Sequence, residues 1–151
     1  MRQKTLEERV AGIEDVEAIK CLKYSYAAYC DDGYDLDGIH SVFSPRGRWT
    51  ANGFGSFEGR EDICRFFKEL SATVLDVLHY VMAPRIVLAE DGFRASGRFY
   101  LLCLSTSRNR KDPSITDRVV TLGTYDDQFV KIGGRWFIDQ MVVNVKHASK
   151  L

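Results

Sequence analysis

Tyr24-Ser-Tyr-Ala-Ala-Tyr-Cys-Asp-Asp-Gly33 ends a helical pattern with two acids directly behind an aromatic, apolar run. Upstream of it, Leu6, Val10, Ile13, Val16, Ile19, Leu22, Tyr26 and Tyr29 recur at steps of three and four, the period of an amphipathic helix. Gly12 with Glu14 and Asp15 predicts a break, giving a short lead helix over about 5–11 and a main helix over about 14–30. Downstream, Leu36, Ile39, Val42 and Phe43 predict a short helix that stops before Ser44-Pro45.

From Gly47 the period changes to that of strands. Trp49 and Phe57 flank the glycine-rich Asn52-Gly53-Phe54-Gly55 turn of a hairpin, and Gly59-Arg60-Glu61-Asp62 opens a third helix with Ile63, Phe66, Phe67 and Leu70 on its apolar face. Four long strands follow, over Leu78–Leu88, Phe93–Ser105, Asp117–Lys131 and Arg135–Lys146, joined by turn chemistry at Glu90-Asp91-Gly92, at Arg108–Ser114 and at Gly133-Gly134. Helices first and long strands afterwards is an α+β order, without the alternation that builds a parallel sheet. Helices on one face and no second layer on the other predict a sheet that curls into a cone around an interior.

At 151 residues the chain 1–151 reads as one domain. Lys+Arg and Asp+Glu are 21 each, which leaves no net field for nucleic acid or an anionic membrane surface. No apolar run approaches the roughly 20 residues of a membrane span, and the first residues are charged where a signal peptide is apolar, so a cytoplasmic protein is expected. Cys21, Cys30, Cys64 and Cys103 are scattered within apolar patterns, with no zinc spacing, and read as reduced, buried thiols. Neither a metal nor an organic cofactor is indicated.

Three histidines are present. His147 lies in a Lys-His-Ala-Ser-Lys ending expected to be solvated, and His40 faces polar neighbours on a helix, whereas His79 opens the apolar strand Leu-His-Tyr-Val-Met. A histidine in such a strand is either a hydrogen-bonded core residue or a sequestered base. Asp31 and Asp32 are ordinary turn residues beside Gly33, yet an acid at the negative end of a helix costs up to about 1 kcal/mol unless something compensates it. An imidazole is one candidate. A carboxylate on one ring nitrogen fixes the tautomer, raises the basicity and leaves the other nitrogen as a general base. Tyr26, either core or site on periodicity, has a hydroxyl suited to an oxygen that leaves or becomes an enolate. Periodicity puts Asp31 about 120 degrees from the apolar stripe, so the helix end must turn for it to reach inward.

The Asp31 and His79 pair, the Trp49-Thr50 to Gly59 hairpin, and the ending Tyr125-Asp126-Asp127-Gln128-Phe129 through Gly134-Arg135-Trp136 resemble the SnoaL-like branch of the NTF2-like superfamily along nearly the whole chain. The nearest resemblance is to the group of scytalone dehydratase, bile-acid 7α-dehydratase and hexachlorocyclohexane dehydrochlorinase. It implies an NTF2-like cone of three or four N-terminal helices on a curved, mostly antiparallel sheet, and an oligomer, a trimer before a dimer. It further implies a cofactor-independent lyase or isomerase, with Asp31, His79 and Tyr26 as catalytic residues and a small hydrophobic, oxygen-containing substrate, polycyclic or aromatic, as the ligand. Trp49, Phe54, Tyr100, Tyr125 and Met141 are the expected substrate-lining residues, Met141 standing where the dehydrochlorinase has an arginine. Two other readings fit the same fold: a non-catalytic β-type subunit of an aromatic-ring-hydroxylating dioxygenase, and a binding protein without chemistry.

Overall fold

The computed structural model describes residues 3–151. Helix α1 (Leu6–Asp31) starts at a capping box: the Thr5 hydroxyl accepts the Glu8 N–H at 3.2 Å and the Glu8 carboxylate accepts the Thr5 N–H at 2.8 Å. Two of the donors that a helix start leaves unpaired are thereby satisfied. The expected break at Gly12–Asp15 does not occur. Asp15 is a tertiary anchor, accepting the Trp136 indole N–H at 2.7 Å and pairing with Lys131 at 2.7 Å. These contacts offset the roughly 1 kcal/mol that a mid-helix glycine costs.

Gly33 and Tyr34, both at positive φ (64° and 61°), turn the chain out of α1. Helix α2 (Leu36–Val42) then packs so closely on α1 that a Cβ on Gly38 would collide with the Tyr29 ring. The hairpin follows as β1 (Phe43–Ala51) and β2 (Gly55–Glu58), then α3 (Arg60–Ser71), β3 (Val74–Leu88), β4 (Arg94–Arg108), β5 (Thr116–Ile132) and β6 (Arg135–Lys150). Residue His147, expected in a solvated tail, is exposed but lies within β6. Cys21, expected to be buried, is exposed on α1. No helix among the described residues is long and apolar enough to cross a membrane.

The strands form one mixed sheet, β2-β1-β6-β5-β4-β3, with β1 parallel to β6 and every other pair antiparallel. The fold is α+β and NTF2-like, with three helices. The sheet stays open, with β2 and β3 as its edges, so it does not curl shut as expected. Helices cover the apolar face in place of closure. Along this face the register aligns His79, Cys103, Thr121 and Ala148 in one row across four strands. Ile19, Tyr26, Cys30, Phe43, Phe99, Phe129, Ile138 and Met141 form the packed core beside it.

Within that core stand two fully buried charges, Lys23 on α1 and Asp127 on β5. Nζ and Oδ2 form an ion pair at 2.7 Å. The ammonium also lies 3.3 Å from the Tyr125 ring centroid, a cation–π contact. Burial lowers the Lys23 pKa to about 8 against the pull of Asp127, and raises that of Asp127 to about 6 against the pull of Lys23. Lys23→Met leaves a carboxylate buried alone and is expected to cost about 3–5 kcal/mol in urea unfolding. Lys23→Met combined with Asp127→Leu should unfold close to or above the wild-type midpoint, since an apolar pair replaces a desolvated one.

Candidate active site

Asp31 is the last residue of α1, and no basic residue occupies that final turn. The negative end of the helix therefore carries an acid, and β3 supplies the compensation. Asp31 Oδ1 accepts the His79 backbone N–H at 3.0 Å and lies 2.7 Å from His79 Nδ1, while Oδ2 lies 3.2 Å from the same backbone nitrogen. A carboxylate accepts only, so Nδ1 bears the proton in this contact and Nε2 is left for other partners. The side chains are 13% exposed for His79 and 25% for Asp31. Burial pulls the imidazole pKa down, but the Asp31 hydrogen bond and the Cys103 thiol raise it more, and it settles at about 9.

His79 opens onto a cavity of about 510 Å³ between the helices and the inner face of the sheet. Tyr26, Tyr34, Trp49, Phe54, Phe67 and Tyr125 form its aromatic wall. No aspartate or glutamate among the described residues lines it, and Asp31 stands behind His79. Asp31 is reached instead from a second groove of about 330 Å³ between α1 and β3, lined by Tyr24, Ala28, Tyr80 and Met82. Among the described residues His79 alone lines both.

Tyr26 is 2% exposed, and its hydroxyl accepts the Trp49 indole N–H at 3.0 Å. A phenol that accepts in this way keeps its own proton to donate. Burial holds its pKa well above the ordinary phenol value, so it stays neutral. Edge-on contacts with Phe43 and Phe67 fix the ring.

Of the expected lining residues, Trp49, Phe54 and Tyr125 are in the cavity wall. Tyr100 is not. It pairs with Met82 across β3 and β4 and is exposed on the outer face, because strand alternation sends Phe99 and Leu101 inward. Met141 is not in the wall either; it is fully buried in the core, beside Trp49 in the β1–β6 register. Tyr34, Cys103, Arg108 and Arg110 are among the wall residues that the sequence alone does not single out. Tyr34 stacks on Phe67, with ring centroids 5.5 Å apart, and is brought inward by a left-handed backbone that costs a non-glycine residue roughly 1–2 kcal/mol. Cys103 lies in the cavity wall opposite His79, and only the strand register reveals it. Lys23 carried a usable signal, four residues after Ile19 and three before Tyr26 on the buried stripe.

The chain belongs to the SnoaL-like domain family, which matches residues 11–142. A candidate aromatic ring hydroxylase from Novosphingobium aromaticivorans is similar in fold, with a TM-score of 0.81 and 22% identity over 92% of this chain and 94% of that one. The hexachlorocyclohexane dehydrochlorinase of type 3 from Novosphingobium barchaimii has a TM-score of 0.83 and 16% identity, over 95% and 94% of the two chains. A candidate scytalone dehydratase from Novosphingobium aromaticivorans has a TM-score of 0.81 and 15% identity, over 95% and 91%.

Titration of the His79 ring by NMR should give a midpoint near pH 9. In Asp31→Asn the midpoint should fall, because the amide no longer stabilises the imidazolium. An unchanged midpoint in that variant would mean the carboxylate does not hold the proton.

Proposed function

We propose that this protein is a cofactor-independent lyase or isomerase of dehydratase type, acting on a small hydrophobic, oxygen-containing substrate with a polycyclic or aromatic body. The observation that carries the reading is the 2.7 Å contact of Asp31 Oδ1 with His79 Nδ1, made by a ring that also lines an apolar cavity. The names dehydrochlorinase and dehydratase, borne by two fold neighbours, both denote eliminations, and they support the same class here.

In this reading His79 Nε2 takes a proton from a carbon next to a carbonyl or a leaving group. Asp31 orients the ring and stabilises the imidazolium that forms. Tyr26, held by Trp49, donates its hydroxyl proton in a hydrogen bond to the oxygen that leaves or becomes an enolate. Trp49, Phe54 and Tyr125 pack on the substrate body. The basic form of His79 is populated as pH rises towards about 9, so kcat/KM should climb with pH through the neutral range and level off above that value. Against an identified substrate, His79→Ala should lower kcat on the order of a hundredfold or more, and Tyr26→Phe about a hundredfold. Turnover unaffected by His79→Ala and by Asp31→Asn would refute the reading.

A non-catalytic β-type subunit of a ring-hydroxylating dioxygenase is the second reading, drawn from the neighbour named as a candidate aromatic ring hydroxylase. Co-purification with an iron–sulfur α subunit would favour it. Self-association, as a trimer or a dimer, belongs to the proposal as well. Leu78, Tyr80, Met82, Tyr100 and Leu122 are all exposed on the outer sheet face, an apolar patch of the kind that buries against a second copy. Light scattering should then give a multiple of the chain mass, reduced towards the monomer by Tyr100→Glu.

A further inference from the structure

Cys103 and His79 stand directly opposite each other in the β3–β4 register. Opposed residues of an antiparallel pair carry their Cβ atoms about 4.5–5.5 Å apart on one face of the sheet. Both side chains line the cavity, and Asp31 holds the imidazole from behind through Nδ1. Thiol and imidazole thus share one face of the sheet and one cavity, with the carboxylate behind the imidazole, and these are the residue types of a nucleophile, a base and a group that orients the base. The other cysteines lack this setting. Cys30 is fully buried, with its thiol pushed far above the ordinary value by desolvation; Cys64 directs its sulfur at the Leu36 carbonyl at 3.7 Å; Cys21 is exposed on α1.

We propose that Cys103 is a nucleophile of the cavity that adds covalently to electron-poor carbon–carbon double bonds, with apolar α,β-unsaturated carbonyl compounds as its ligand class. His79 Nε2 takes the thiol proton. Sulfur bonds to the β-carbon as the carbon–carbon π bond breaks, and the electron pair passes to the carbonyl oxygen as an enolate. The imidazolium then returns the proton to the α-carbon. Nothing is oxidised or reduced, and the acceptor is the only co-reactant. The neutral Tyr26 hydroxyl in the same wall is a donor for the enolate oxygen, and the aromatic wall favours an apolar acceptor over water.

The inference shares the Asp31–His79 contact with the proposed function but not its elimination step. It also deepens that reading, because loss of water beside a carbonyl generates this class of compound. The thiol would meet the product as it forms.

The test uses the full chain, 2-cyclohexen-1-one as the probe, and peptide mass spectrometry to follow each cysteine. Cys103 should form the adduct about tenfold faster than Cys21, although Cys21 is the more exposed. In His79→Gln, with folding checked by circular dichroism, the Cys103 rate should fall by about tenfold or more while Cys21 is unaffected. Modification of Cys21 first, with Cys103 reacting only after denaturation, would overturn the proposal in the wild-type protein without any variant. So would an unchanged Cys103 rate in His79→Gln. Turnover lost in that variant with the Cys103 rate kept fells this inference alone; the Cys103 rate lost with turnover kept fells the base reading alone.

Discussion

An acid at the negative end of a long helix needs a partner, and in this protein the partner is the start of an edge strand. Asp31 answers two donors of His79 at once, the backbone N–H and the ring. The backbone bond ties the end of α1 to β3; the ring bond sets the imidazole tautomer and turns it towards the cavity. One electrostatic constraint thus fixes the angle of the helix over the sheet and the orientation of the one histidine that lines the cavity among the described residues. Oδ1 accepts in both, and Oδ2 shares the backbone N–H.

The interior that this helix covers is apolar in composition but not in charge. Lys23 and Asp127 sit among Tyr26, Phe99 and Tyr125, with the ammonium over the face of Tyr125. Such a pair costs desolvation on both sides and returns it through coulombic attraction and the aromatic quadrupole. It locks α1 to β5 two turns before Asp31 locks it to β3. The wall residue Tyr26 lies on α1 between these two anchors, and Tyr125 packs under the ammonium of the first, so both phenol rings are held in place. A wall that does not rearrange keeps Tyr26 and His79 on the same volume, a condition for any step in which one group moves a proton while another receives charge.

Much of this was legible in the chain. The three helices, the hairpin and the four long strands follow from hydrophobic period and turn chemistry, and the ends fall within a few residues of those observed. The helix runs unbroken through Gly12–Asp15, where local signals predict a start, because Asp15 is engaged by Trp136 and Lys131 from the far end of the chain. Composition and period place Tyr100 and Met141 in strands but do not contain strand parity. Phe99 faces inward and so sends Tyr100 out, while Met141 is covered by the core before it reaches the open volume. Tyr34 was invisible because a tyrosine gives no local sign that it will adopt a left-handed backbone.

The sequence by itself determined the order of elements and the Asp31–His79 candidates, because periodicity and the electrostatics of a helix end are local properties. Tertiary structure alone decided which side chains share a volume. The opposition of Cys103 to His79, the burial of Lys23 against Asp127 and the entry of Tyr34 each join residues far apart in the chain or hang on one backbone turn. Strand register, helix docking and a single φ angle are set by packing across the molecule, and no window of sequence contains them.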